Sequence, residues 1–235
     1  MHKQIEKIKQ NEGKPRVLKN IFDKSEIEKF LSLYDELPIT VHNKKQNVIK
    51  KRWLQEYGKE LEKLFYERLS NEIGKFKYDN LKTDQGDDIL GLFQESYNPI
   101  GLHIDGGFNL NDLIYKQTLI PLTPVGSTVI FKNRFYGQST NFTTDKSELE
   151  KKELNYGQNK RSSEHIGLYG KKPFDSDIHK KYVNHENIEN LVGLEVELIY
   201  EWDVGSMLIF DRTNIHCSSS VIDGKKIGIA TFTKK

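Results

Sequence analysis

The sequence predicts a mainly β protein, a sandwich or barrel carrying helices from its N-terminal part on one side. Three observations predict it. Apolar residues recur at helical spacing only before about residue 85. From about residue 89 they recur at every second position, in short runs bounded by Gly, Pro, Asn or Asp. The length of 235 residues suits one all-β domain, so a single domain over 1–235 is expected, with helical support over about 1–85 and the β core over about 86–235.

The elements follow in order. The run "RVLKNIF" (16–22) reads as an opening strand. In "DKSEIEKFLSLYDELP", Ile27, Phe30, Leu31 and Tyr34 recur at helical spacing, Ser25 and Glu28 stand as a capping box, and Pro38 marks the stop. A second helix is expected from about Arg52 to Ile73, with Trp53, Tyr57, Leu61, Leu64, Phe65 and Leu69 as its buried stripe. Seven strands follow: "ILGLFQESY", "KQTLIPLT", "STVIFK", "LEVELIYEW", "SMLIFD", "IHCSSSVI" and "KIGIATFT". In "LEVELIYEW", Leu194, Val196, Leu198, Tyr200 and Trp202 share one expected buried face against Glu195, Glu197, Ile199 and Glu201. Over about 133–190 the strand pattern lapses into a lysine-rich insert, and an unpatterned stretch of that length is usually a functional loop or a disordered one.

Composition excludes several classes of function. Lys and Arg number 36 against 34 Asp and Glu, so no overall field favours nucleic acid or an anionic membrane. No run approaches the roughly eighteen apolar residues that span a bilayer, and the first residues lack an apolar signal core. A cytoplasmic protein without a membrane role is expected. The single cysteine, Cys217, excludes an intramolecular disulfide and a thiolate-built zinc site. A metal would therefore take imidazole and carboxylate ligands.

The stretch "GLHIDGG" (101–107) offers such ligands, because His103 and Asp105, two apart, share one face of an extended segment. Alone, His-x-Asp is a weak signal. Downstream, "WDVGSMLIFDRTNIHCSSS" places a turn and an apolar strand before His216. One imidazole from a neighbouring strand would complete two histidines and a carboxylate on one face of an iron, with three positions open, as in non-haem Fe(II) oxygenases. Ten residues on, Lys226 opens an otherwise apolar strand, where an ammonium is costly to bury unless it meets an anion such as a dicarboxylate cosubstrate. Gly228 and Ala230 share its face and leave room beside it.

With "HID", "GSMLIFD", His216 and the basic residue of "KKIGIATF", and with the opening "PRVLKNIFDKSEIEKFLSLYDELP", the chain resembles the 2-oxoglutarate- and Fe(II)-dependent dioxygenases, in their prolyl 4-hydroxylase-like branch. The resemblance spans most of the chain outside the insert. It implies a double-stranded β-helix, a cupin-like jelly-roll of about eight core strands. His103, Asp105 and His216 would hold Fe(II), and Lys226 would bind the distal carboxylate of 2-oxoglutarate, whose other end would chelate the iron. With O2 as oxidant, the products would be succinate, carbon dioxide and a hydroxylated peptidyl or free amino-acid side chain. Three departures stand out. The basic residue is Lys rather than the commoner Arg. The Arg-x-Ser pattern of some branches reads Lys226-x-Gly228 here, so a cosubstrate hydroxyl must come from elsewhere: Tyr97 first, then Thr118 and Ser218. The gap from Asp105 to His216 is also longer than usual.

Other residues have plainer readings. Lys225 competes with Lys226, but alternation would then send Ile227 and Ile229 into the polar pocket. His165, His179 and His185, in the insert, are expected on a solvated surface, and Cys217 as a small buried apolar residue. Arg212 is either a guide for an anionic substrate at the mouth or a strand-end surface charge. Tyr136, Tyr156, Tyr169, Tyr182, Phe135 and Phe174, set among lysines, form either a lid or a set of pins for a decorating loop. The expected partner is a peptide or small molecule, with anionic metabolites second and nucleic acid a distant third. The rival from another class is a cupin-like module that binds metal and ligand without oxygen chemistry. A halogenase is disfavoured because Asp105 fills the carboxylate position.

Overall fold

At the N-terminal end, helices and strands alternate more often than the apolar spacing predicts. The computed structural model of the chain describes residues 2–44, 47–80, 88–105, 113–137, 140–143, 157–160, 170–220 and 223–235. Helix α1 (His2–Gln10) and strand β1 (Arg16–Leu18) precede α2 (Lys24–Glu36). The capping box of α2 is Asp23 with Glu26, not Ser25 with Glu28. The Asp23 carboxylate accepts the Glu26 N–H, and the Glu26 side chain accepts the Asp23 N–H.

The expected helix from Arg52 is also corrected. Residues Val48–Leu54 form strand β3, paired with β2 (Ile39–Asn43), and helix α3 spans Lys59–Ile73 after Gly58 turns the chain at φ 62. The aromatic spacing at 53 and 57 fits a helix by count, but β3 gains a ladder on both edges, to β2 and to β5 (Ile89–Ser96). Trp53 is core, as expected, though its backbone is strand. It is fully buried and meets Phe30, Phe65 and Phe93 with ring centroids 5.8, 5.9 and 6.2 Å away.

After β4 (Lys77–Tyr78) and β5 the chain alternates between two facing sheets. The strands are β6 (His103–Ile104), β7 (Ile114–Pro121), β8 (Ser127–Arg134), β9 (Thr140–Thr143), β10 (Gly157–Lys160), β11 (Val196–Glu201), β12 (Met207–Asp211), β13 (Asn214–Ser218) and β14 (Lys226–Lys234). The larger sheet runs β1-β12-β7-β14-β5-β3-β2, with β4 beside β14, and the smaller runs β10-β9-β6-β13-β8-β11. Strands β5, β7, β12 and β14 lie in the larger sheet and β6, β8, β11 and β13 in the smaller, so the chain winds to and fro as a double-stranded β-helix. Among the described strands only the β9–β10 pair is parallel.

Three apolar layers result. Helices α2 and α3 pack on the outer face of the larger sheet, through Phe30, Leu33, Phe65 and Leu69 against Phe93, Ile120 and Ile229. Between the sheets lie Ile130, Tyr200, Leu208 and Phe210. The outer face of the smaller sheet, including Val129, Phe131 and the fully buried Cys217, is covered by Phe174, Val183, Leu191 and Leu194. A register shift between Val196 and Leu198 explains why "LEVELIYEW" does not keep one buried face. Leu194 and Val196 pack outside, whereas Leu198, Tyr200 and Trp202 pack between the sheets.

The insert is not patternless. It holds β9, β10, helix α4 (Ser176–Tyr182) and a 3-10 turn (Ile188–Leu191). Its described aromatics act as pins: Phe135 and Tyr182 pack with Phe174 on the smaller sheet's outer face, and the Tyr136 hydroxyl donates to Glu12. Tyr156, Tyr169 and His165 lie outside the described residues. Among the described residues no helix is long and apolar enough to cross a membrane, a statement that leaves β-barrels aside.

Candidate metal centre

His103 comes from β6 and His216 from β13, and the two residues are direct cross-strand partners, so their rings emerge side by side on the inner face of the smaller sheet. Their centroids are 4.3 Å apart. Asp105, two residues after His103, joins them, with its Oδ2 3.5 Å from His103 Nε2 and 3.2 Å from His216 Nε2. One ligand atom from each of the three lies within 4.8 Å of the others. Ligands about 2.1 Å from an ion and at right angles to one another stand about 3 Å apart, so this triangle is close to one face of an octahedron.

Hydrogen bonds decide which atoms face inward. His103 Nδ1 lies 2.7 Å from the Gly101 carbonyl and His216 Nδ1 3.0 Å from that of Asn214. A carbonyl only accepts, so each Nδ1 carries the proton and each Nε2 presents a lone pair. Two lone pairs and a carboxylate oxygen converging on one point repel unless a cation or a shared proton lies among them, and that donor set fits a divalent metal. Gln117 on β7 supports the carboxylate by donating its amide to Asp105 Oδ2 at 2.9 Å. The Phe210 ring meets His216 edge to face at 5.0 Å.

The charges agree. Burial disfavours the Asp105 carboxylate, but the adjoining imidazoles outweigh it and hold its pKa well below the usual range. Burial also opposes charge on His103, and Asp105 overcomes it, so that ring is raised. His216 is lowered, by burial and then by the charge of His103.

Lys226 lies on the inner face of β14 and is only 3% exposed. Its Nζ donates to the Ser127 carbonyl at 3.1 Å and sits 4.1 Å from the centroid of the Trp202 ring. No carboxylate among the described residues pairs with it, and burial brings its pKa down to about 7. Two glycines make the space: at Gly126 (φ +83) a Cβ would lie 3.2 Å from the lysine stem, and at Gly228 it would lie 2.7 Å from Trp202. Lys225 points to the helical layer and pairs with Glu95 at 3.0 Å.

The structure does not bring all the proposed residues to this site. Tyr97 projects on the helix-facing side, 38% exposed, and its hydroxyl donates to Glu95 at 2.6 Å, so it is removed from the cosubstrate set. Thr118 is removed too. It pairs with Ile209 and shares the outward face of Ile120, whereas Gln117 and Leu119 face inward. Strand alternation is the reason in both cases. Arg212 is no guide at the mouth: its guanidinium is buried, donates to Asp79 and to the Thr233 carbonyl, and lies over Phe232. Ser218 does share the inner face with His216, and its Oγ accepts the Ile100 N–H at 2.5 Å. His179 and His185 are half-buried rather than solvated. His179 Nε2 meets the Glu186 carbonyl, and burial lowers the pKa of His185. Sequence reasoning missed Gln117, Trp202 and Ser127. Only Trp202 left a signal, as an aromatic just before the turn that leads to His216.

No family model matches the chain, and no curated protein matches it. Solved structures match in fold. A 2OG-Fe(II) oxygenase-family oxidoreductase from Burkholderia pseudomallei aligns with a TM-score of 0.50 at 10% identity, over 98% of this chain and 89% of that one. HygX from Streptomyces hygroscopicus, with nickel and 2-oxoglutarate bound, gives 0.52 at 13% identity, over 100% and 87%. SnoN, a non-heme alpha ketoglutarate dependent epimerase from nogalamycin biosynthesis, gives 0.51 at 7% identity, over 100% and 81%. At such identities the likeness is one of fold, and this chain has the double-stranded β-helix of those oxygenases.

Proposed function

We propose that the protein, as a single domain over 1–235, is a 2-oxoglutarate- and Fe(II)-dependent dioxygenase that hydroxylates a peptidyl or free amino-acid side chain and releases succinate and carbon dioxide. The observation that carries this reading is the convergence of His103 Nε2, His216 Nε2 and Asp105 Oδ2 at edges of 3.2 and 3.5 Å. His103, Asp105 and His216 would hold an iron from one side and leave its other side free for cosubstrate chemistry. When bound, the iron supplies the oxygen and one-electron chemistry that no side chain offers.

The protein's own residues do the rest. The Gly101 and Asn214 carbonyls fix both imidazoles with Nε2 inward, and Gln117 holds the Asp105 carboxylate at its working oxygen. Lys226, buried and with no carboxylate partner among the described residues, binds the distal carboxylate of 2-oxoglutarate. Ser218 offers a hydroxyl on the same inner face. Ile130, Leu208 and Phe210 keep water from the part of the space between the sheets beside His216. The nickel and 2-oxoglutarate bound to HygX, which shares the fold, support a divalent metal together with 2-oxoglutarate here. The lone buried thiol, Cys217, suits a reducing compartment such as the cytosol.

The test is anaerobic. Adding Fe(II) and then 2-oxoglutarate should develop the weak visible charge-transfer band of a chelated iron–keto-acid complex, lost in His103→Ala and His216→Ala. If metal binds and no band develops at saturating 2-oxoglutarate, the oxygenase reading fails and a cupin-like binding module is the better account.

A further inference from the structure

The inner face of the larger sheet carries a row of residues that are not fully covered. Arg52 on β3 is the cross-strand partner of Leu92 on β5, Leu92 of Ala230 on β14, and Ala230 of Leu119 on β7. All four are partly exposed. The adjacent row on the opposite face, Lys51, Phe93, Ile229 and Ile120, is buried under the helices. Solvent therefore reaches a trough across the inner face, apolar along Leu92, Ala230 and Leu119 and ending at one guanidinium.

Among the described residues that guanidinium meets no partner. Every other arginine among the described residues meets a carboxylate: Arg16 with Glu72, Arg68 with Glu26, Arg134 with Glu12 and Asp211, and Arg212 with Asp79. Arg52 makes no side-chain hydrogen bond or ion pair with a described residue, although it is partly withdrawn from water. A planar five-donor fork left open at the end of an apolar trough suits bidentate capture of a carboxylate. Lys50, two residues earlier, shares the inner face, which looks across to the sheet that carries His103 and His216.

Arg52 is too distant to share the carboxylate expected at Lys226. Lys226 is four residues from Ala230 along β14, and Arg52 is two strands away in the Ala230 row. That is about 13 Å along the strands and about 10 Å across them. A five-carbon diacid anchored at Lys226 with its keto end on the iron does not extend there.

We propose that Arg52 is a specificity-determining residue that binds the carboxylate of a substrate whose aliphatic body lies along Leu92, Ala230 and Leu119. The proposal rests on the oxygenase reading and names its substrate class. Its test uses full-length protein with Zn(II) in place of iron and saturating 2-oxoglutarate, observing the Arg52 Nε–H resonance by NMR. The probes are hexanoate, N-acetyl-L-leucine and N-acetyl-L-proline, each beside its primary amide. At least one acid should shift the resonance saturably, its amide binding at least tenfold more weakly. Arg52→Gln should lose tenfold or more of the acid affinity and keep 2-oxoglutarate affinity within twofold, and Arg52→Lys should recover part of the loss. If 2-oxoglutarate binds and no acid shifts the resonance, or amides bind as well as acids, the inference is overturned alone. A loss of 2-oxoglutarate affinity in Arg52→Gln also overturns it, by moving Arg52 into the cosubstrate site. If the wild type takes up no 2-oxoglutarate, the oxygenase reading falls and this inference with it.

Discussion

Lys226 should make cosubstrate binding depend on pH in a calculable way. Burial lowers its pKa from 10.5 to about 7, and only the ammonium pairs with a carboxylate. The competent fraction is then about 0.9 at pH 6 and about 0.1 at pH 8, so apparent 2-oxoglutarate affinity should fall about tenfold between them. Binding restores the charge, so the complex should take up about 0.9 proton at pH 8 and about 0.1 at pH 6. Calorimetric titration of metal-loaded protein, in two buffers of different ionisation enthalpy, counts those protons directly. Lys226→Met should bind 2-oxoglutarate weakly at every pH, with the proton uptake gone. The same shift bears on stability, with a definite sign. Between pH 7 and 10.5 the unfolded chain holds a proton that the folded one has released, so the apo protein gains stability as pH rises through that window. Below pH 7 the full cost stands, and Lys226→Met should stabilise the apo protein there by at most about 5 kcal/mol. A wild type with pH-independent affinity and no proton uptake, or a Met variant that binds 2-oxoglutarate normally, would refute the reasoning.

Three further outcomes are expected. Gln117→Leu removes the donor to Asp105 Oδ2 and should weaken metal binding by about 10- to 100-fold in a chelator competition, with the circular dichroism unchanged. Arg212→Ala leaves Asp79 with Lys234 alone and should cost about 3 kcal/mol in urea unfolding without altering metal affinity, and a selective loss of substrate binding would contradict its placement in the core. Tyr97→Phe should cost about 1 kcal/mol, for the bond to Glu95, and leave 2-oxoglutarate affinity untouched, whereas a tenfold loss would return Tyr97 to the pocket.

The core strands were legible because each buries one face and so repeats every second residue. The alternation from Ile89 onward, the turn before Met207 and the lysine opening β14 all stand where the pattern put them. Less legible was the region before it. "VIKKRWL" carries an aromatic whose spacing suits a helix, and only pairing to both β2 and β5 makes it a strand. The register shift in β11 was equally hidden, since a single extra residue changes the face without changing composition.

By itself the sequence determined the period-two core, the residue types able to hold a divalent metal, and the placing of Lys226 rather than Lys225 on the face opposite Ile227 and Ile229, because all three follow from local spacing along one chain. Only the tertiary structure decided that His103 and His216 are cross-strand partners 113 positions apart in the sequence. It also decided that Gln117 steadies Asp105 and that Tyr97, Thr118 and Arg212 turn away from the site. Arg52 shows the same division. Its charge is written in the chain, but its having no partner among the described residues and its place at the end of a partly exposed row are properties of four strands brought side by side. Which face a side chain occupies, and what stands opposite, is set by register between segments distant in sequence, and no local pattern encodes it.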